Sequence, residues 1–321
     1  MLLMQASSSS ASSVDKRFVA AAILSLLTAC GKREAVASDL EAELLRRGAV
    51  EHLAVAQVNN AGIFLLRMGS ESIERRFVGP FLPAAFSPRG DRVLGCDLST
   101  RLLRLVRMDG STDHELAEAG PTTRHLALSW DGQKVAAVTA EYLDDEQGRV
   151  KVSLVIIDLA SQAKSVLLTE ALNSAEGIWG RPSWSPDGRA VTLARKETIE
   201  IVHLGDGQAS SLLRGSMPSW SPDGASIAYR APNGLLMLFD ISKKTARQLA
   251  RECASSSGLA WSKDGGYLLY AQAPSASQRT GTVREFDMIR LVVHRVTDGA
   301  SHVLPGFWHR NMVTGFVFDS K

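Results

Sequence analysis

Cysteine is scarce in this chain of 321 residues, which has only Cys30, Cys96 and Cys253. Three thiols cannot staple a scaffold, and a domain of this size buries enough core to need no staples. Cys96 falls in a strand pattern and Cys253 beside a loop in a distant repeat, so they read as two inert thiols rather than a bridge. An excess of one charge is also lacking. Lys and Arg number 36 against 34 Asp and Glu, a formal net charge of +2. That balance excludes strong non-specific binding to nucleic acid or another polyanion. The apolar run Phe18–Leu27 is too short to cross a bilayer as a helix. Catalytic signatures are missing as well. His52, His114, His125, His203, His294, His302 and His309 show no H-E-x-x-H or paired metal-ligand spacing. No G-x-S-x-G nucleophile elbow occurs. Spacing therefore points to no metal and no cofactor, although it cannot reveal a site assembled from separate segments.

What the chain does have is one hairpin, repeated. Arg181–Leu193 reads RPSWSPDGRAVTL, Met217–Tyr229 reads MPSWSPDGASIAY, and Gly258–Tyr270 reads GLAWSKDGGYLLY. Weaker copies stand at Pro83–Gly95 and Leu126–Val138. In the fullest copy Pro186 presets φ for a type I turn, Asp187 tolerates the bridge region, and Gly188 takes the left-handed position of a bulged hairpin. Asp223 with Gly224, and Asp264 with Gly265, repeat this device. A strand hairpin recurring at intervals of roughly 36 to 56 residues predicts a propeller.

Each hairpin is followed by a third apolar strand and a more polar fourth, which makes five complete units. The ends supply a further one. His52–Val58, Ile63–Met68 and Ile73–Val78 read as second, third and fourth strands without a first, and Gly315–Ser320 reads as a first strand without the rest. The predicted fold is all-β: a six-bladed β-propeller over residues 51–321, its closing blade made of three N-terminal strands plus one C-terminal strand. Joining the ends removes exposed sheet edges. A competing register places Trp308-His309-Arg310-Asn311 at the motif. Phe86, Leu128, Trp184, Trp220, Trp261 and Phe318 then occupy equivalent first-strand positions, with the expected role of packing between blades.

Residues 1–29 read as a signal peptide, with translation expected to begin near Val14. Asp15-Lys16-Arg17 is the charged region and Phe18–Leu27 the apolar one. Leu27-Thr28-Ala29-Cys30-Gly31 resembles the lipobox of bacterial lipoproteins. The resemblance implies lipidation of Cys30, with a membrane anchor of two or three acyl chains. Gly rather than Asp at position 31 implies the periplasmic face of the outer membrane in a Gram-negative cell. Residues 30–50 are then a tether and a short helix. The helix is opened by a capping box of Ser38 and Glu41 and stopped by Gly48.

The Trp-Ser-Pro-Asp-Gly runs at Trp184 and Trp220, with Trp-Ser-Lys-Asp-Gly at Trp261, resemble the WD-like repeats of the TolB propeller family. The resemblance covers about residues 51–321. Its members include the periplasmic TolB protein, propeller domains of prolyl-oligopeptidase-type and tricorn-type proteases, and oligogalacturonate lyases. TolB carries an α/β domain before its propeller, where this sequence has Gly31–Val50, so TolB's own role does not carry over.

In such a ring the Pro-Asp-Gly turns lie on one face and the longer connections on the other. Those connections are Ala140–Arg149, Ala171–Arg181 and Gln272–Arg284, which places function on their face. Candidate interface residues are Glu141, Asp144 and Asp145 in the first, Trp179 and Arg181 in the second, Arg279 in the third, and Trp308 near the ring closure. The acidic cluster lacks EF-hand spacing and reads as a solvated loop. Trp179 beside Arg181 has hot-spot composition, yet Trp179 fits a blade seam equally well. His125, beside Arg124 at the start of a first strand, is placed to face the central channel. The expected function is a cell-envelope lipoprotein whose propeller is a non-catalytic scaffold for envelope proteins. The alternative is a glycan-binding protein or polysaccharide lyase-like enzyme using the channel.

Overall fold

The computed structural model describes residues 52–57, 62–67, 73–78, 81–97, 102–107, 111–116, 123–144, 148–173, 179–254, 258–272, 288–304, 308–309 and 313–319. The expected tether and helix lie outside the described residues, as do Cys30, Asp145 and Arg279. The chain opens with β1 (His52–Gln57), β2 (Gly62–Arg67) and β3 (Ile73–Val78). A meander follows of β4 (Phe81–Phe86), β5 (Arg92–Asp97), β6 (Leu103–Arg107) and β7 (Thr112–Leu116). The next is β8 (Thr123–Leu128), β9 (Lys134–Tyr142), β10 (Val150–Asp158) and β11 (Lys164–Leu172). Then come β12 (Ser183–Trp184), β13 (Ala190–Arg195), β14 (Thr198–His203) and β15 (Ala209–Arg214). After these stand β16 (Ser216–Trp220), β17 (Ser226–Arg230), β18 (Leu236–Asp240) and β19 (Thr245–Ala250). The chain continues with β20 (Leu259–Trp261), β21 (Tyr267–Gln272), β22 (Met288–Arg295), β23 (Ser301–Val303), β24 (Trp308–His309) and β25 (Val313–Asp319).

The expected six-bladed propeller needs correcting to five blades: six antiparallel sheets pair among the described residues, but five of them build the packed core of the ring. Five blades, those beginning at β4, β8, β12, β16 and β20, have described side-chain packing. The last of the five carries an extra strand, because β24 pairs with β22 through Met288↔His309 and Ile289↔Trp308. The reason lies in strand length. β22 has eight residues and β23 three, so β23 pairs only with Val292–His294 and leaves the start of that edge for β24 to cover. The sheet β25-β1-β2-β3 is described by its backbone pairing, with Phe318 opposite Leu53, and β25 touches both β4 and β20.

The seams between blades are the core. Along β9, Val135 and Ala137 pack toward the β4–β7 blade, whereas Ala136, Val138 and Ala140 pack toward the β12–β15 blade. Along β10, Val155 and Ile157 divide from Leu154 and Ile156 in the same way. Both faces of the sheet are therefore dry, and this is why apolar/polar alternation is blurred in the sequence. First strands meet one another around the axis: β8 touches β4 and β12, and β16 touches β12 and β20.

Two devices recur in these first strands. One is an indole hydrogen bond across the seam. Trp184 Nε1 donates to the Ala127 carbonyl at 3.1 Å, and Trp261 Nε1 donates to the Ser219 carbonyl at 3.2 Å, in each case on the preceding blade. Trp220 is the exception. It is 8% exposed, its indole N–H has no partner, and its backbone N–H instead donates to Ser183 Oγ at 3.1 Å. The other device ties off the hairpin. Ser185 Oγ donates to Asp187 Oδ1 at 2.6 Å and accepts from the Ala190 N–H at 2.9 Å, while Asp187 also accepts from the Arg189 N–H at 3.1 Å. The same arrangement joins Ser221 to Asp223, Ser262 to Asp264 and Ser129 to Asp131. In the first meander Arg89 stands at the acid's place, and Ser87 donates to Asp91 instead, at 2.7 Å. Gly188, Gly224 and Gly265 take φ of 68°, 72° and 71°, the left-handed conformation the turn requires.

The tryptophan exception yields a prediction. Trp184→Phe and Trp261→Phe should each lose about 0.5–1.5 kcal/mol beyond the change in packing, the net worth of one hydrogen bond. Trp220→Phe should lose distinctly less. Urea midpoints of the three variants measure this, and an equal cost for Trp220→Phe would contradict the assignment of the seam bonds.

Candidate functional site

The first strands enclose an axial cavity of about 130 Å³. Its wall includes Leu126, Leu128, Trp184, Trp220 and Trp261, with Arg181 and Met217 also on it. Each first strand ends at its Ser-Asp turn, so residues earlier in the strand lie toward the opposite face, where the longer connections are. Three residues before Leu128, Trp184, Trp220 and Trp261 stand His125, Arg181, Met217 and Gly258, one layer at that mouth of the channel. Gly258 has φ +82°, and a Cβ there would sit 3.9 Å from Arg181 Cδ, so the glycine leaves room for the arginine stem. Met217 holds φ +56°, an uncommon conformation for a residue with a Cβ, and lines the same cavity.

A bulge shapes the next part of the rim. In the β8/β9 pair the register shifts between Thr123 and His125, so Arg124 is an extra residue without a partner in β9. Bulges of this kind re-aim side chains. Arg124 Nη2 donates to Tyr142 Oη at 3.4 Å, and Tyr142, at the end of the long β9, is 67% exposed. Burial first, then the positive charges of Arg181 and Arg124, push His125 from the usual histidine value down to about 4. Burial also lowers the pKa of the Arg181 guanidinium from its usual value.

The sequence-derived candidates scatter. Arg181 reaches the axial cavity. Trp179 is 2% exposed and packs in the seam with Trp184 and Val191, which decides its place in favour of the seam and against an exposed pair with Arg181. Arg195 is what covers it, with its guanidinium carbon 5.1 Å from the ring centre. Arg195 also grips Glu200 through Nε at 2.7 Å and Nη2 at 3.1 Å, and Lys196 meets Glu170 of the preceding blade at 2.7 Å. Glu141 pairs with Lys151 at 3.1 Å on the surface, and Asp144 is exposed. Glu141 and Tyr142 belong to β9 rather than to the loop expected there. Trp308 lies in β24. Asp187, Asp223 and Asp264 sit in their turns as hydrogen-bond acceptors. Tyr142 was missed by the sequence reading, since only the extra length of β9 brings it to the rim.

No family model and no curated protein matches this chain in sequence. Solved structures do match in shape. TolB from Acinetobacter baumannii is 15% identical with a TM-score of 0.59, covering 83% of this chain and 66% of that one. A protein assigned as TolB from Agrobacterium tumefaciens is 15% identical with a TM-score of 0.54, covering 82% and 92%. An oligogalacturonate lyase in complex with manganese is 15% identical with a TM-score of 0.50, covering 75% and 69%. The fold is thus a TolB-like β-propeller, and the chain spans slightly less than two thirds of the Acinetobacter protein's length. Among the described residues the manganese of the lyase structure has no counterpart donor set. Among the described residues no three His, Cys, Asp or Glu side chains converge, and Arg181 on the cavity wall repels a cation.

The histidine makes the mouth sensitive to acid. In the unfolded chain His125 takes a proton near pH 6.5, whereas in the fold it stays neutral to about 4. The unfolded state then binds more protons, so this contribution to stability is complete above 6.5 and declines as pH falls toward 4. His125→Gln should flatten the fall in melting temperature between pH 6.5 and 4. An unchanged slope would mean that His125 titrates alike in both states.

Proposed function

We propose that this chain is a cell-envelope lipoprotein, anchored through Cys30, whose propeller is a non-catalytic scaffold for a protein partner docked at the channel mouth. The observation that carries the reading is the size of the axial cavity beside an exposed Tyr–Arg pair. Ligand pockets commonly enclose about 300–1,000 Å³, while this cavity holds about 130 Å³ and admits one side chain rather than an oligosaccharide. That favours a protein partner over the glycan-binding or lyase alternative. Tyr142 and Arg124 at the rim have the composition of a binding hot spot, one large aromatic beside a guanidinium. The anchor rests on the lipobox-like Leu27–Cys30.

Detergent-solubilised envelopes passed over the immobilised protein test the reading. Wild type should retain a partner that Tyr142→Ala loses, and Cys30→Ser should move the protein into the soluble fraction. Tight binding to an oligosaccharide with no Tyr142-dependent partner would defeat the scaffold. Unchanged membrane association of Cys30→Ser would defeat the anchor.

A further inference from the structure

The mouth of the axial cavity has a definite charge. His125 and Arg181 share one layer, and the bulge in β8 adds Arg124 at the rim. The charges that act on His125 are those two guanidinium groups, and no carboxylate is found on the cavity wall among the described residues. Beneath the mouth the wall carries the apolar side chains Leu126, Leu128, Trp184 and Trp261 beside serines such as Ser183 and Ser219. A charged contact in such surroundings is stronger than in water, and an arginine fork matches a carboxylate through paired N–H donors. The volume sets a second limit. A cavity of about 150 Å³ takes a ligand of benzene size, so 130 Å³ fits the side chain of a glutamate or a chain end.

We propose that the axial mouth is a carboxylate-binding site, in which an acidic side chain or chain end of the partner enters the cavity and is received by Arg181, with Arg124 and Tyr142 at the rim. The inference rests on the scaffold reading for the source of the carboxylate, but not for the existence of the site. Met217 stands on the same wall, its φ of +56° set by the bulge between Ser216 and Ser219.

Trp184, Trp220 and Trp261 line the cavity, so tryptophan fluorescence reports its occupancy. The probes are the blocked tripeptides Gly-Glu-Gly and Gly-Gln-Gly, and acetyl-Gly-Gly with a free C-terminus. The glutamate peptide or the free-ended peptide should give a saturable change, and whichever binds more tightly identifies the source. The glutamine peptide should bind at least about tenfold more weakly, as the loss of a charge-assisted hydrogen bond requires. Arg181→Gln should weaken the acidic probe by about tenfold or more, with Arg181→Lys keeping part of the affinity. Arg124→Gln, at an exposed position, should weaken it several-fold even if Arg181→Gln does not fold. Equal binding of the Glu and Gln peptides, or unchanged affinity in Arg124→Gln, overturns the proposal. If the acidic probe binds but no partner is captured from envelopes, the scaffold reading fails alone. If a captured partner is not displaced by either carboxylate probe, the carboxylate site fails and the scaffold stands.

Discussion

The structure depends on a hydrogen bond that most propeller side chains could not make. An indole N–H on one blade reaches the backbone carbonyl of the first strand before it: Trp184 to Ala127, and Trp261 to Ser219. Each such bond contributes about 0.5–1.5 kcal/mol and ties one blade to the backbone of the blade before it. Tryptophan does two things in one residue, filling the seam with its ring and joining its own buried N–H to the neighbouring blade. Trp130 does the same from the turn, donating to the Trp184 carbonyl at 3.3 Å where other repeats carry proline or lysine.

The dimensions of the channel follow from this. The rings pack into the seams and along the axis, and the cavity between the first strands measures about 130 Å³. On the other face the turns of neighbouring blades pack closely. Pro186 Cδ and Pro222 Cδ lie 3.7 and 3.6 Å from where a Cβ would stand on Gly224 and Gly265 of the next blade. Chemistry is left to the opposite mouth, where equivalent positions of the repeat differ from copy to copy: His125, Arg181, Met217 and Gly258.

Much of this was legible in the residues, and the limits are physical. A hairpin repeated with its turn residues intact announces strands, and the equivalent positions Leu128, Trp184, Trp220 and Trp261 do end first strands. The buried serine of each turn was not legible. Its hydroxyl works through the carboxylate two residues on, a contact that composition cannot show. Trp179 lay between two readings because a tryptophan flanked by glycines fits either a surface or a seam, and only the Arg195–Glu200 pair above it decides the matter. The extra strand β24 was hidden for a similar reason. It answers a gap left by the short β23, a feature of pairing rather than of local sequence. Arg124 and His125 were visible as neighbours, but the bulge that turns them into a rim was not.

Hydrogen exchange of the tryptophan indole N–H groups, followed by NMR, tests the seam bond most directly. Trp184 and Trp261 should exchange together and only through global unfolding, with the same free energy as the slowest backbone amides of β9 and β10. Exchange of either indole through a local opening, well below the global free energy, would contradict the claim that these bonds hold the blades in register around the axis.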